Sequence, residues 1–210
     1  MGLWRRCLLP GMDNEAPAVW AGIAAQYAEP HRHYHDARHL DHCLRQFDLI
    51  AEQIGRPDDV EAAIWFHDVI VVPGRRDNEE RSAAYFHDVA AGKIAPQTID
   101  AVVALILRTT HRDAPTDPDH QFLCDIDLSS FGSPWEAFLD NSAAVRAEFQ
   151  GSDEEYYHCE RAFLESLLRR TRIFHTECFH ALYEAKARDN IRRFIGVLEQ
   201  ARSGAAVTNP

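Results

Sequence analysis

Apolar residues recur at helical spacing through most of the 210-residue chain, and no stretch shows the alternation of a convincing β-strand. Leu40, Leu44 and Phe47, for example, follow one another at i, i+4 and i+7. Prolines and glycines fall between such stretches, where they end one helix or begin the next. The pattern predicts an all-α fold, a single-domain bundle of eight or nine helices.

The predicted domain covers 13–202, with a flexible N-terminal tail over 1–12 and a flexible C-terminal tail over 203–210. No apolar run approaches the roughly 20 residues of a membrane helix, so we expect no membrane partner. The formal net charge of -11 argues against a nucleic-acid polymer as partner. The five cysteines are scattered and form no C-x-x-C pair, which is typical of reduced thiols and predicts a cytoplasmic protein. The sequence leaves open whether the protein forms a homodimer.

One short stretch, Trp65 to Asp68, places two ionisable side chains side by side in a helix that we predict over 58–69. His67 shares a helix face with Ile64 and so points towards the core. Burying His67 and Asp68 costs several kcal/mol unless a partner compensates the charge. A structural His–Asp pair is one interpretation, and a divalent metal ion is the other.

Three more predicted helices carry histidines or acids on apolar faces. The residues concerned are His35, His39 and His42 on the second helix, His111 at the end of the fifth, and Asp125 and Asp127 on the sixth. Imidazole and carboxylate groups are the ligands that Zn, Mn, Mg, Ni, Co or Fe prefer, and they favour a divalent metal cofactor. Spacing alone leaves either aspartate as the ligand.

The ordered set resembles the H…HD…D signature of the HD-domain metal-dependent phosphohydrolase superfamily. It is similar in particular to a bacterial branch of uncharacterised predicted HD phosphohydrolases. Four stretches carry the resemblance: Arg32 to His39, Trp65 to Asp68, Asp77 to Ser82, and Asp125 to Gly132. The chain departs from the branch at Val71-Val72, where a Tyr-Asp pair is frequent.

The resemblance implies an HD-type helical bundle around one or two metal ions. The implied ligands are His39, His67, Asp68 and Asp127, with Asp127 preferred to Asp125 because the family ligand directly precedes a leucine. The implied activity is hydrolysis of a phosphate ester of a nucleotide or another small phosphorylated metabolite by a metal-activated water.

Further roles follow from that activity. Glu79 is the predicted catalytic residue that orients or deprotonates the water, together with Asp68 at the metal, although Glu79 also suits the helix dipole alone. The predicted substrate-binding residues are His35, His111, Arg32 and Arg76.

Two other functions fit the same residues. One is an HD-type di-iron oxygenase, in which His111, with His87 or His120, would complete a second iron site. The other is a non-catalytic regulatory module that binds a nucleotide without turnover.

Overall fold

Nine α-helices and no β-strand make up the part of the chain that the computed structural model describes, residues 6–8 and 16–207, with side chains described as far as 202. The helices are α1 Ala16–Tyr27, α2 Ala37–Ile50, α3 Pro57–Phe66, α4 Asn78–Ala90, α5 Pro96–Arg108, α6 Pro118–Leu128, α7 Trp135–Glu148, α8 Asp153–Arg169 and α9 Glu177–Val207. The prediction of an all-α domain is confirmed.

Local sequence signals set several helix starts. Asp36 accepts a hydrogen bond from the Arg38 N–H at the start of α2, and Ser152 and Glu155 form a capping box at the start of α8. Proline occupies the first turn of α3, α5 and α6, where the missing N–H has no helical partner. The start of α3 at Pro57 lies one residue before the predicted 58.

The short helix α3 lies at the centre of the bundle and packs against α2, α4, α5 and α6. Its Val60, Ala63, Ile64 and Phe66 side chains are fully buried. The second half of the helix, Ala62 to Phe66, is apolar throughout and lies in the core. The turn after α3 therefore begins from the interior of the protein.

Several helix ends differ from the prediction. Helix α3 ends at Phe66, so His67 and Asp68 lie in the turn after the helix, although the His67 N–H still bonds the Ala63 carbonyl. Helix α5 ends at Arg108, before His111. Sequence periodicity continued past these ends because the following residues are buried as well.

The predicted tails fall mostly outside the described residues. Of the predicted N-terminal tail, Arg6 pairs with Asp58 and Glu61 on α3, and Leu8 forms an isolated β-bridge with Ile94. Helix α9 runs to Val207, within the predicted C-terminal tail. The boundaries at 12 and 202 stay predictions.

Candidate metal centre

Two imidazole nitrogens and two carboxylate oxygens converge where α2, α3 and α6 meet. The Nε2 atoms of His39 and His67 lie 3.3 Å apart. Asp127 Oδ1 lies 3.2 Å from the first nitrogen and 3.6 Å from the second. Asp68 Oδ2 lies 3.5 Å and 3.0 Å from the same two nitrogens. Donors held about 2.1 Å from one ion stand roughly 3.0–3.4 Å apart, so the spacing fits a single divalent ion.

A backbone contact orients the imidazole of His67. Its Nδ1 lies 2.8 Å from the carbonyl oxygen of Ile64. A carbonyl oxygen only accepts, so Nδ1 carries the hydrogen and the neutral ring presents a lone pair on Nε2. Metal-binding histidines are commonly held by such a bond from the other ring nitrogen.

Protons balance the charges of the cluster when no cation is bound. Burial alone would lower the pKa of His67, but Asp68 and Asp127 raise it well above its ordinary value. Burial alone would raise the pKa of each aspartate, but the neighbouring histidines outweigh it and lower both pKa values. A metal ion would take the place of these imidazole protons, because ligands bind in their deprotonated form.

Cys43 is a neighbour of the cluster that the sequence interpretation missed. His39, Cys43, His67 and Asp127 form a group whose possible ligand atoms all lie within 4.8 Å of one another, and such a group could hold a metal ion. The Cys43 sulfur lies 3.7 Å from His39 Nε2 and 4.0 Å from Nδ1, so it is nearly equidistant from the two ring nitrogens. Its i+4 spacing from His39 was the available signal.

The two aspartates of α6 have separate roles. Asp127 faces the cluster, whereas Asp125 accepts hydrogen bonds from the His175 N–H and from the N–H and hydroxyl of Thr176, at 2.7–2.8 Å. Asp125 therefore ties α6 to the segment before α9. The structure places Asp127 in the position that the resemblance implies.

His111 contacts the other side of Asp127. Its Nε2 lies 2.8 Å from Asp127 Oδ2, and this bond, against the opposing effect of burial, raises the pKa of His111 to about 10. The backbone of His111 has φ of 52°, a left-handed conformation that non-glycine residues rarely adopt. Arg170 donates to the His111 carbonyl at 2.6 Å and helps to hold this conformation.

His35 is held by an acid that lies far away in the sequence. Glu148, at the end of α7, lies 2.6 Å from His35 Nδ1 and also accepts the backbone N–H groups of His33, Tyr34 and His35. Burial lowers the pKa of His35, but Asp68 and Glu148 together raise it to about 9. With Nδ1 bonded to Glu148, Nε2 is the nitrogen left for a ligand. No local sequence signal could have found Glu148.

Arg32 is engaged within the protein. Its guanidinium donates to the carbonyl oxygens of His35, Asp68 and Val69 at 2.6–2.9 Å, and its side chain is fully buried. These bonds join the turn before α2 to the turn after α3. The geometry favours this positioning role over the predicted phosphate contact.

A cavity of about 390 Å³ opens beside the cluster. One end, which we name the metal end, is lined by Asp68, Asp127, His35 and His111. The other, which we name the phenyl end, is lined by Phe131, Phe138, Phe163 and Glu160. The remaining lining residues are Tyr34, Glu79, Thr109, Thr110, Leu128, Ser130, Asn141, Ser142 and Val145.

Glu79 reaches this cavity from the first turn of α4, and burial raises its pKa. Three other candidates do not line it. Arg76 and His87 are exposed, and His120 is partly exposed at the start of α6. The structure brings together seven of the predicted site residues: His35, His39, His67, Asp68, Glu79, His111 and Asp127.

The chain matches no known protein family model. Neither the curated proteins nor the solved structures contain a significant match. The likeness to HD-domain phosphohydrolases therefore rests on the sequence motifs alone. Within the described residues, no helix has the length and apolar character needed to cross a membrane.

Proposed function

We propose that the protein is a metal-dependent hydrolase of small phosphate esters, with His39, His67, Asp68 and Asp127 holding a divalent ion. The observation that carries this proposal is the convergence of their four donor atoms, with separations of 3.0–3.6 Å, beside a cavity. Asp68 suits the ligand set better than Cys43, because its oxygen lies 3.0 Å from His67 Nε2 while the sulfur lies 3.7 Å from His39 Nε2.

When bound, the ion lowers the pKa of a water molecule and polarises a phosphoryl oxygen. Glu79 would accept a proton from the attacking water. Its half-buried carboxyl lines the cavity with a raised pKa, which brings it closer to the range that suits a general base near neutral pH.

His35 and His111 contact the phosphoryl oxygens. Both line the metal end of the cavity, where Glu148 holds His35 and Asp127 holds His111. Imidazole groups take the place of Lys and Arg here, because neither residue type occurs among the described residues that line the cavity. Arg32 fixes the turn that presents His35.

The test is release of phosphate from a panel of small phosphate esters with Mn, Co, Mg, Ni and Zn. We expect turnover with at least one metal, its loss in His67→Ala, and normal turnover in His87→Ala, whose side chain is exposed. No release with any metal, or full release by His67→Ala, would contradict the proposal. Tight nucleotide binding without product would instead indicate a regulatory module.

One observation favours a second candidate, an HD-type di-iron oxygenase. Asp127 presents Oδ1 to His39 and His67 and Oδ2 to His111, an arrangement compatible with a carboxylate shared between two ions. Neither His87 nor His120 reaches the cluster, so of the proposed extra ligands only His111 is in place. Elemental analysis of protein purified without chelators separates the two functions: two irons per chain favour the oxygenase, and a single non-iron ion favours the hydrolase.

A further inference from the structure

The phenyl end of the cavity contains one acid and no counter-charge. Glu160 lies on α8 and lines the cavity, and among the described residues none donates a hydrogen bond to its carboxylate or forms an ion pair with it. Burial alone raises the pKa of Glu160 to about 7. Glu160 is partly buried, and a carboxylate withdrawn from water without a partner is costly, so a ligand that compensates its charge would bind with an advantage.

Aromatic rings surround this end. Phe163 follows Glu160 by three residues, so both side chains leave the same face of α8. The ring of Phe131 lies 6.2 Å from that of Phe163 and 5.9 Å from that of Phe138, centroid to centroid. The faces of aromatic rings attract cations, and rings combined with a carboxylate suit an ammonium group.

The charge of all the residues that line the cavity also favours a cationic ligand. Four carboxylates line the cavity, Asp68, Glu79, Asp127 and Glu160, and no Lys or Arg of the described chain does. At the metal end, histidines and the proposed ion offset the first three. Nothing comparable offsets Glu160.

We propose that Glu160, with the rings of Phe131, Phe138 and Phe163, binds an ammonium group of the substrate. The substrate would then be a small phosphate ester whose other end carries a positively charged amine; only its phosphate end rests on the proposed function. Glu160 determines specificity, and it does not take part in bond cleavage.

A binding experiment tests the ammonium site without any phosphate. Calorimetry on the metal-loaded protein compares 2-phenylethylammonium with its neutral analogue 2-phenylethanol. We expect the ammonium to bind at least about tenfold more tightly, and Glu160→Gln to remove that preference while leaving the neutral probe unchanged. The control is Glu165→Gln on the same helix, whose partner is Arg161 and which does not line the cavity.

A turnover experiment separates this inference from the proposed function. It compares ω-aminoalkyl phosphates with alkyl phosphates of the same length in the wild type and in Glu160→Gln. Preference for the aminoalkyl esters that disappears in the variant supports both proposals. Equal hydrolysis of both series overturns the ammonium site alone, whereas Glu160-dependent ammonium binding with no hydrolysis of any ester overturns the hydrolase alone. Guanosine binding that depends on Glu160, with no preference for ammonium, would assign this end to a nucleobase and overturn the inference.

Discussion

At the metal end of the cavity the charged side chains contact one another, whereas at the phenyl end Glu160 and three phenylalanines line the cavity with no ion pair to Glu160 among the described residues. Asp127, for example, contacts three histidines, so a change in any one of them alters the balance of the others. Glu160 has no such neighbours, and its replacement should alter only what binds there. One cavity therefore contains a metal end whose charged groups depend on one another and a phenyl end that is independent of them.

The largest effect should come from His67→Ala, which tests whether the ends are independent. We expect metal affinity to fall by more than about 100-fold, because the variant loses a ligand rather than a supporting contact. Binding of 2-phenylethylammonium should be unchanged. Metal analysis after dialysis and calorimetry measure the two quantities, with His87→Ala as control. A parallel loss of ammonium binding would show that the ends are coupled.

Two matched variants, Asp127→Asn and Asp125→Asn, test the separate roles of the two aspartates of α6. The first should release the metal and abolish phosphate release while the fold persists. The second should keep the metal but lower the free energy of unfolding by about 2 kcal/mol, because its amide would face the Thr176 N–H with a donor. Urea denaturation and metal analysis read the two effects. Metal loss in Asp125→Asn equal to that in Asp127→Asn would contradict the assignment.

The pH dependence of stability in Glu148→Gln tests whether the His35–Glu148 pair stabilises the metal end of the cavity. Hydrogen bonds from His35 and the backbone outweigh burial and lower the pKa of Glu148 from 4.5 to about 2, so its stabilisation is present above pH 4.5 and is lost as the pH falls towards 2. The pKa of His35 is raised from 6.5 to about 9, so its contribution is complete below pH 6.5 and is lost as the pH rises towards 9.

The stability difference between wild type and Glu148→Gln, both stripped of metal, should therefore be largest between pH 4.5 and 6.5. We expect about 2 kcal/mol there, because the bonds to three backbone N–H groups and His35 are weakened together. Urea denaturation at acidic, intermediate and alkaline pH measures it. A difference that does not vary with pH would remove the His35–Glu148 pair as its source.

The smallest effect should come from Cys43→Ala. Because the sulfur lies no closer than 3.7 Å to His39 Nε2, we expect the metal content to stay the same and stability to fall by about 1 kcal/mol from the lost packing. The cobalt-loaded wild type should show no thiolate-to-cobalt charge-transfer absorption. Such a band that disappears in Cys43→Ala would instead make Cys43 a ligand.

Much of the metal end could be predicted from sequence, because its residues carry local signals. His39 has helical spacing to an apolar face, and His67 with Asp68 follows an apolar run. The choice between Asp125 and Asp127 could not be settled by spacing, since residues two apart point to nearly opposite sides of a helix. Only the packing of α6 against α2 and α3 decides which of them faces the cluster.

Arg32 and Glu160 are two residues whose roles could not be predicted from the sequence. Arg32 was predicted to contact phosphate from the activity that the resemblance implies, yet it bonds Asp68 and Val69 more than thirty residues away. Glu160 resembles any polar residue on an amphipathic helix, and it becomes distinctive only because Phe131 and Phe138, from other parts of the chain, line the same cavity beside Phe163.

The sequence by itself determined the all-α fold, most helix starts and the chemical types of the metal-binding side chains, because periodicity and capping depend on near neighbours. The tertiary structure alone decided which polar groups meet. Glu148 binds His35 across 113 residues, and Asp125 binds Thr176 across 51. Such contacts depend on how whole helices pack, and the residues near each partner in the sequence do not specify that packing.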